Sequence, residues 1–146
     1  MIIWRISRFH DLSGRGTVKT FGRWHAIGTR MVYTADCPAA ALLEICAHTS
    51  AENLPSTFNL LKIDGPDTSL EEIGPHELPE DWTARMAVTQ QLGATWLDSR
   101  RSALLRVPSV LVPETWNYLL NPVHPNAGLF EIERSYEYPF DLRLKG

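Results

Sequence analysis

Cysteine is scarce in this chain: Cys37 and Cys46 are the only two among 146 residues. Their spacing fits neither a CxxC metal or redox pair nor the dense pairing of a small disulfide framework, so both read as reduced, buried thiols of a cytoplasmic protein. Long hydrophobic runs are missing as well. The apolar start Met1-Ile2-Ile3-Trp4 is broken by Arg5 and Arg8 before the core of a signal peptide could form. No stretch approaches the roughly 20 apolar residues of a membrane-crossing helix. Neither sign of charge dominates: a net charge of −3 and a pI near 5.9 leave no basic footprint of the kind nucleic-acid backbones demand. Direct nucleic-acid binding and membrane association are therefore set aside.

Several chemical signatures are also lacking. His10, His25, His48, His76 and His124 show no HExxH or paired metal spacing, and neither a GxSxG nor a Walker motif occurs. No metal centre and no P-loop is expected. Gly14-Arg15-Gly16 is a fragment of a glycine-rich loop without the strand-to-helix context that would give it meaning.

What is present is a globular composition, 44% hydrophobic and 21% charged with five Trp and ten Pro, at a length that suits one domain over residues 1–146. Ile2-Ile3-Trp4-Arg5-Ile6 reads as an N-terminal strand. From Asp11 to Gly22 the run DLSGRGTVKTFG has three glycines and no helical period, so it reads as a surface loop. Met31 to Ala35 is a second strand candidate, followed by a helix start with Asp36 as N-cap and Pro38 in the first turn. The helix Ala39 to His48 is apolar around most of its circumference and is expected to be central and largely buried.

Pro55 to Asp64 reads as a strand, and residues 65 to 81 as irregular. Residues 85 to 101 read as a helix. Ala103 to Val107 and Val110 to Val112 read as two strands kinked at Pro108-Ser109. Glu114 to Asn126, with its Asn-Pro and His-Pro steps, favours turns. A final strand pair is read in Leu129 to Glu133 and Phe140 to Leu144. The fold class is α+β, with small mixed sheets and packed helices.

Four places set a polar side chain in an apolar or glycine-rich neighbourhood: Gly22-Arg23-Trp24-His25, Tyr33, Glu44 and Ser109. Each has a plain alternative. Arg23 is also readable as a surface arginine packed on Trp24, Tyr33 as an ordinary strand aromatic, and Ser109 as a turn residue. Glu44 is harder to dismiss. A carboxylate on a mostly apolar helix costs several kcal/mol unless donors or an arginine compensate, and an arginine partner is expected nearby.

Taken in order, Trp4-Arg5-Ile6-Ser7, Gly22-Arg23-Trp24-His25, Val32-Tyr33, Leu42-Leu43-Glu44, Val107-Pro108-Ser109 and Asn117-Tyr118-Leu119-Leu120-Asn121-Pro122-Val123-His124-Pro125 form a series that resembles the RES domain. The resemblance runs over nearly the whole chain. It implies the toxin of a bacterial toxin–antitoxin pair, a fold like the ADP-ribosyltransferase and diphtheria-toxin catalytic core, and depletion of NAD by cleavage of its nicotinamide–ribose bond. It also implies a helix-turn-helix, Xre-like antitoxin as partner, a homodimer within the larger complex, and no cofactor, since NAD is consumed. The family's arginine, glutamate and serine match Arg23, Glu44 and Ser109, with Tyr33 beside them. The family pattern often has Asn after Arg-Trp, where this chain has His25.

Cleaving NAD builds positive charge on the ribose, so the resemblance casts Glu44 as its stabiliser and Arg23 as the bidentate holder of the pyrophosphate. Arg5 is expected to add a phosphate contact, Tyr33 to stack on the nicotinamide or ribose, and Ser109 to bond the ribose or Glu44. Trp24, His25, Asn117 and His124 complete the substrate-binding candidates, with turn formation the competing role for Asn117 and His124. Two rival readings stand beside this one: a protein ADP-ribosyltransferase, and a non-enzymatic repressor partner in which Glu44 forms a structural ion pair with Arg23.

Overall fold

A computed structural model describes residues 1–145. The chain forms strands β1 (Ile2–Ser7), β2 (Val32–Ala35), β3 (Thr57–Asp64), β4 (Leu70–Glu72), β5 (Leu104–Pro108), β6 (Trp116–Leu120) and β7 (Glu131–Pro139), with helices α1 (Pro38–His48) and α2 (Met86–Ser99). The strands make one seven-stranded sheet in the order β4-β5-β6-β2-β1-β3-β7. Only the β4–β5 pair is parallel; the remaining pairs are antiparallel. This is an α+β fold with a mixed sheet.

The register assigns side chains to faces, because residues opposite one another on paired strands point the same way and successive residues alternate. Tyr33 lies opposite Leu119, and Ala35 opposite Asn117, which is itself opposite Val107. These residues share the helical face. There α2 brings Trp96 against Leu105, Val107 and Leu119, while α1 lays Ala40 and Ala41 on Trp4, Ile6 and Ala35. The other face carries Ile3, Val32, Leu61, Ile63, Leu104 and Leu120, covered by Phe130, Leu12 and Ala127. Each fully buried Leu or Ile in such a layer contributes about 1.5–3 kcal/mol. Together they fix the register of the strands that present the polar residues.

Several expectations are corrected. Cys37, and not Asp36, caps α1: its Sγ accepts from the Ala40 amide at 3.4 Å, with Pro38 at the first helical position. The same residue is exposed, so only Cys46 is a buried thiol; both are free. Helix α1 is not central. It buries Ala40, Ala41 and Cys46 and leaves Leu43 45% exposed, because it covers one face of the sheet and none of the described residues covers Leu43 on its back. Residues 65 to 81 contain β4 and a single helical turn, Pro75–Glu77.

Residues 110 to 112 form no strand. Ser109 opens a loop that closes on itself, its amide donating to the Thr115 carbonyl at 2.8 Å while its Oγ accepts from the Leu111 amide at 3.1 Å. Where turns were expected after Glu114, β6 runs between β5 and β2, and the turn begins only at Asn121. The expected C-terminal strand pair is instead the single strand β7, followed by a turn at Leu142–Leu144.

Candidate functional site

Glu44 lies one turn before the end of α1, on the side facing the ends of β5 and β6. Its side chain is 25% exposed. One carboxylate oxygen, Oε1, accepts from Ser109 Oγ and from Asn117 Nδ2, each at 3.0 Å. The other, Oε2, meets His48 Nε2 at 3.1 Å, the i,i+4 neighbour on the helix. Burial pushes the carboxyl toward protonation, but the donors on His48, Asn117 and Ser109 together outweigh it, and the group is held below the usual carboxylate range. Glu44 is thus an ionised carboxylate fixed by a helix, a loop start and a strand.

The arginine expected beside Glu44 is not there. Among the described residues its one titratable partner within ion-pair distance is His48, so the structural Arg23–Glu44 ion pair is not formed. Neutral donors hold the charge without cancelling it.

Tyr33 belongs to the same face of the sheet. It stands opposite Leu119, which makes Asn117 its diagonal neighbour, about 7–8 Å away in such a ladder. Its hydroxyl accepts from the Trp24 amide at 3.1 Å and lies 2.6 Å from His25 Nδ1. The far ring nitrogen of His25, Nε2, is 3.1 Å from both the Thr17 and the Thr20 carbonyl oxygens. Burial drives the Tyr33 phenol well above its usual pKa, although the Trp24 amide and the charge of Arg23 pull the other way. The hydroxyl stays protonated and is used internally, leaving the ring as the part able to meet a ligand.

Arg23 sits on the segment between this tyrosine and α2. Its carbonyl accepts from Thr89 Oγ1 at 2.5 Å, and the preceding Gly22 carbonyl accepts from Gln90 Nε2 at 2.9 Å. The backbone is anchored, yet the side-chain atoms Nε and Nη1 are buried without a hydrogen-bond partner among the described residues. Oδ1 of Asn117 is in the same condition. Buried polar atoms are satisfied in the great majority of cases; Arg5 Nε, Arg106 Nε and Asn121 Nδ2 are the further exceptions among the described residues.

The other candidates fall outside this group or serve it indirectly. Arg5 alternates onto the opposite face with Ile3. Strands β1 and β2 align at one residue pair, Trp4 with Ala35, and the Arg5 guanidinium enters the seam to donate to the Tyr33 carbonyl at 3.3 Å. Its burial lowers its pKa against the opposing pull of Asp11. Trp24 is buried, 6.5 Å from the Trp82 ring. His124 lies beyond the end of β6 away from Asn117, where Nδ1 accepts from the Asn126 amide and Nε2 faces the Arg100 carbonyl. It organises the turn.

Residues not anticipated are His48, Thr89 and Gln90. The i,i+4 spacing of Glu44 and His48 was legible in the sequence; the contacts of α2 with the Arg23 segment have no local signal.

Fold and site together define an α+β protein with a carboxylate, an arginine and a tyrosine gathered on the helical face of its sheet. The RES domain family matches residues 2–141, and the chain belongs to that family. It is 43% identical over 135 residues to the toxin Res of Pseudomonas putida, covering 91% of this chain and 92% of that one. It is 40% identical over 139 residues to the Prs ADP-ribosylating toxin of Sphingobium sp., covering 92% and 86%. A third relative, the toxin Res of Yersinia enterocolitica, is 33% identical over 136 residues, covering 91% and 90%.

Proposed function

We propose that this chain is a toxin that consumes NAD by breaking the bond between nicotinamide and ribose. The observation that carries the reading is a pair of opposite charges left unneutralised on one face of the sheet. Glu44 is ionised and bonded to neutral donors and one exposed histidine, and Arg23 keeps buried guanidinium nitrogens free of any partner among the described residues. NAD is complementary to such a site. It carries a cationic pyridinium ring at the reacting ribose and an anionic pyrophosphate further along.

In this reading Arg23 binds the pyrophosphate and the ring of Tyr33 supports the nicotinamide or ribose. The bond from ribose C1′ to the ring nitrogen breaks with its electron pair going to nicotinamide, which leaves neutral. Glu44 faces the cation that develops on the ribose, held at the correct angle by Ser109 and Asn117. A nucleophile then adds to C1′ and gives up its proton to solvent. Within the same proposal the ADP-ribosyltransferase-like core is shared, and the chain acts in the cytoplasm as a homodimer restrained by an Xre-like, helix-turn-helix antitoxin.

Water and phosphate are the acceptors proposed first. A protein acceptor is the second reading, favoured by the name of the Sphingobium relative as an ADP-ribosylating toxin. Purified protein incubated with NAD, with and without phosphate, tests both. Nicotinamide release that disappears in Glu44→Gln supports cleavage, and the mass of the sugar product names the acceptor. Release only when a protein target is added, with label retained on it, would replace the first reading by the second. A Glu44→Gln variant that still arrests growth would sink the catalytic reading.

A further inference from the structure

We propose that His25 is a positioning residue for the Arg23 segment, acting in its neutral form with the proton on Nε2. The proposal rests on the reading of Arg23 as the ligand-binding cation. The geometry starts at Nε2, where the carbonyl oxygens of Thr17 and Thr20 both stand at 3.1 Å. Carbonyls only accept, so Nε2 carries hydrogen. In the neutral ring Nδ1 is then an acceptor, and its partner at 2.6 Å is the Tyr33 hydroxyl. That hydroxyl donates to Nδ1 while accepting from the Trp24 amide at 3.1 Å.

One imidazole therefore ties three pieces together: the loop at Thr17 and Thr20, strand β2 through Tyr33, and the backbone next to Arg23. His25 is 3% exposed, and the space around its ring is defined. A methyl group at Gly22 would come within 2.6 Å of the Tyr33 hydroxyl and 2.8 Å of His25 Cε1. The Gly22 amide also donates to the His25 carbonyl at 3.0 Å.

The groups facing the imidazole are Tyr33 from β2, the two carbonyls from the loop, and the Gly22–Trp24 backbone on its own segment; among the described residues no carboxylate or cation bonds to it. The Arg23 charge lies on the Tyr33 side. Protonating His25 would turn Nδ1 into a donor facing a hydroxyl that already accepts from Trp24, and would place a second positive charge near Arg23. The Tyr33 hydroxyl hydrogen then loses its acceptor, the latch weakens, and Arg23 loses its fixed bearing.

The test uses the full chain as wild type, His25→Ala, His25→Gln, Tyr33→Phe and the His25→Ala/Tyr33→Phe double variant. Nicotinamide release gives KM and kcat from pH 5 to 8, and titration with ADP-ribose gives Kd over the same range. Glutamine can present an oxygen to Tyr33 and an amide to the carbonyls, and it does not titrate.

The expected result is a KM and an ADP-ribose Kd raised about tenfold in His25→Ala, with kcat changed much less, since a binding interaction common to ground and transition states is lost. Tyr33→Phe raises KM similarly, and the double variant is no worse than either single one. Wild-type KM and Kd rise as the pH falls below the histidine range, whereas His25→Gln restores near-wild-type values and flattens that rise.

Unchanged KM and Kd in His25→Ala, or an acid rise that persists in His25→Gln, would overturn the proposal. Wild-type protein that binds ADP-ribose but releases no nicotinamide would sink the cleavage reading alone, and the Kd values would still decide the role of His25. Neither binding nor release would remove both.

Discussion

In the proposed reaction Glu44 is the residue on which the chemistry turns, and its environment sets two expectations. Replacing it by Gln keeps the shape and the capacity to bond Ser109 and Asn117 but removes the charge. Nicotinamide release should fall by about 10²-fold or more, the cost usual for losing a preorganised electrostatic partner, with the far-ultraviolet circular dichroism spectrum retained. Gly22 makes a steric demand of a different kind. A Cβ there would overlap the Tyr33 hydroxyl and the His25 ring, so Gly22→Ala should lower the urea midpoint by an amount corresponding to about 1–3 kcal/mol, and should weaken ADP-ribose binding with it. A variant as stable and as tight as wild type would show that this corner of the molecule is looser than described.

At the scale of elements, α2 acts as a clamp on the segment that carries Arg23. Thr89 is fully buried and its hydroxyl donates to the Arg23 carbonyl. Thr89→Val fills nearly the same volume but leaves that carbonyl short of a donor, which costs about 1–3 kcal/mol when the group is buried. Chemical denaturation should register this loss, and the KM for NAD should rise. An unchanged KM would separate helix stability from substrate binding.

The same elements explain what could be seen in the sequence. Glu44 stood out because it is the one charged residue in an alanine- and leucine-rich helix, and α1, β1, β2, β3 and α2 followed from period and capping signals. His25 and Tyr33 were each noted, but nothing local indicates that a loop histidine meets a strand tyrosine eight positions on. Strand β6 was hidden by its neighbours: Pro122 and Pro125 announce turns, and the five residues Trp116–Leu120 are too few to outweigh them. Strand β7 was read only at its start, and a second strand was placed beyond its end, because β7 is a sheet edge, exposed at most of its nine positions, and so lacks the alternation that burial imposes.

For the whole molecule, acid should be destabilising, and two groups give the sign. Glu44 has a folded pKa below its unfolded value of about 4.3, so its contribution is present above that value and is lost as the pH falls through the lower, folded one. His25 has a folded pKa below its unfolded value of about 6.5 because burial disfavours the cation. As the pH drops below about 6.5 the unfolded chain takes up that proton first, and folding weakens until the folded pKa is passed. Denaturation measured from pH 7 to pH 3 should show stability falling throughout, with the upper part of the fall shallower in His25→Gln and the part below about pH 4.3 shallower in Glu44→Gln.

The place of β6 between β5 and β2 has a consequence for how the protein comes into being. Arg23, Tyr33 and Glu44 all belong to the first third of the chain, but Ser109 and Asn117, which hold the carboxylate, are made late, and the strand that joins the two halves of the sheet is made with them. A ribosome that has finished α2 has therefore synthesised the charged residues but not the two neutral donors that hold Glu44. On the proposed reading, the reaction must wait until β6 has been made.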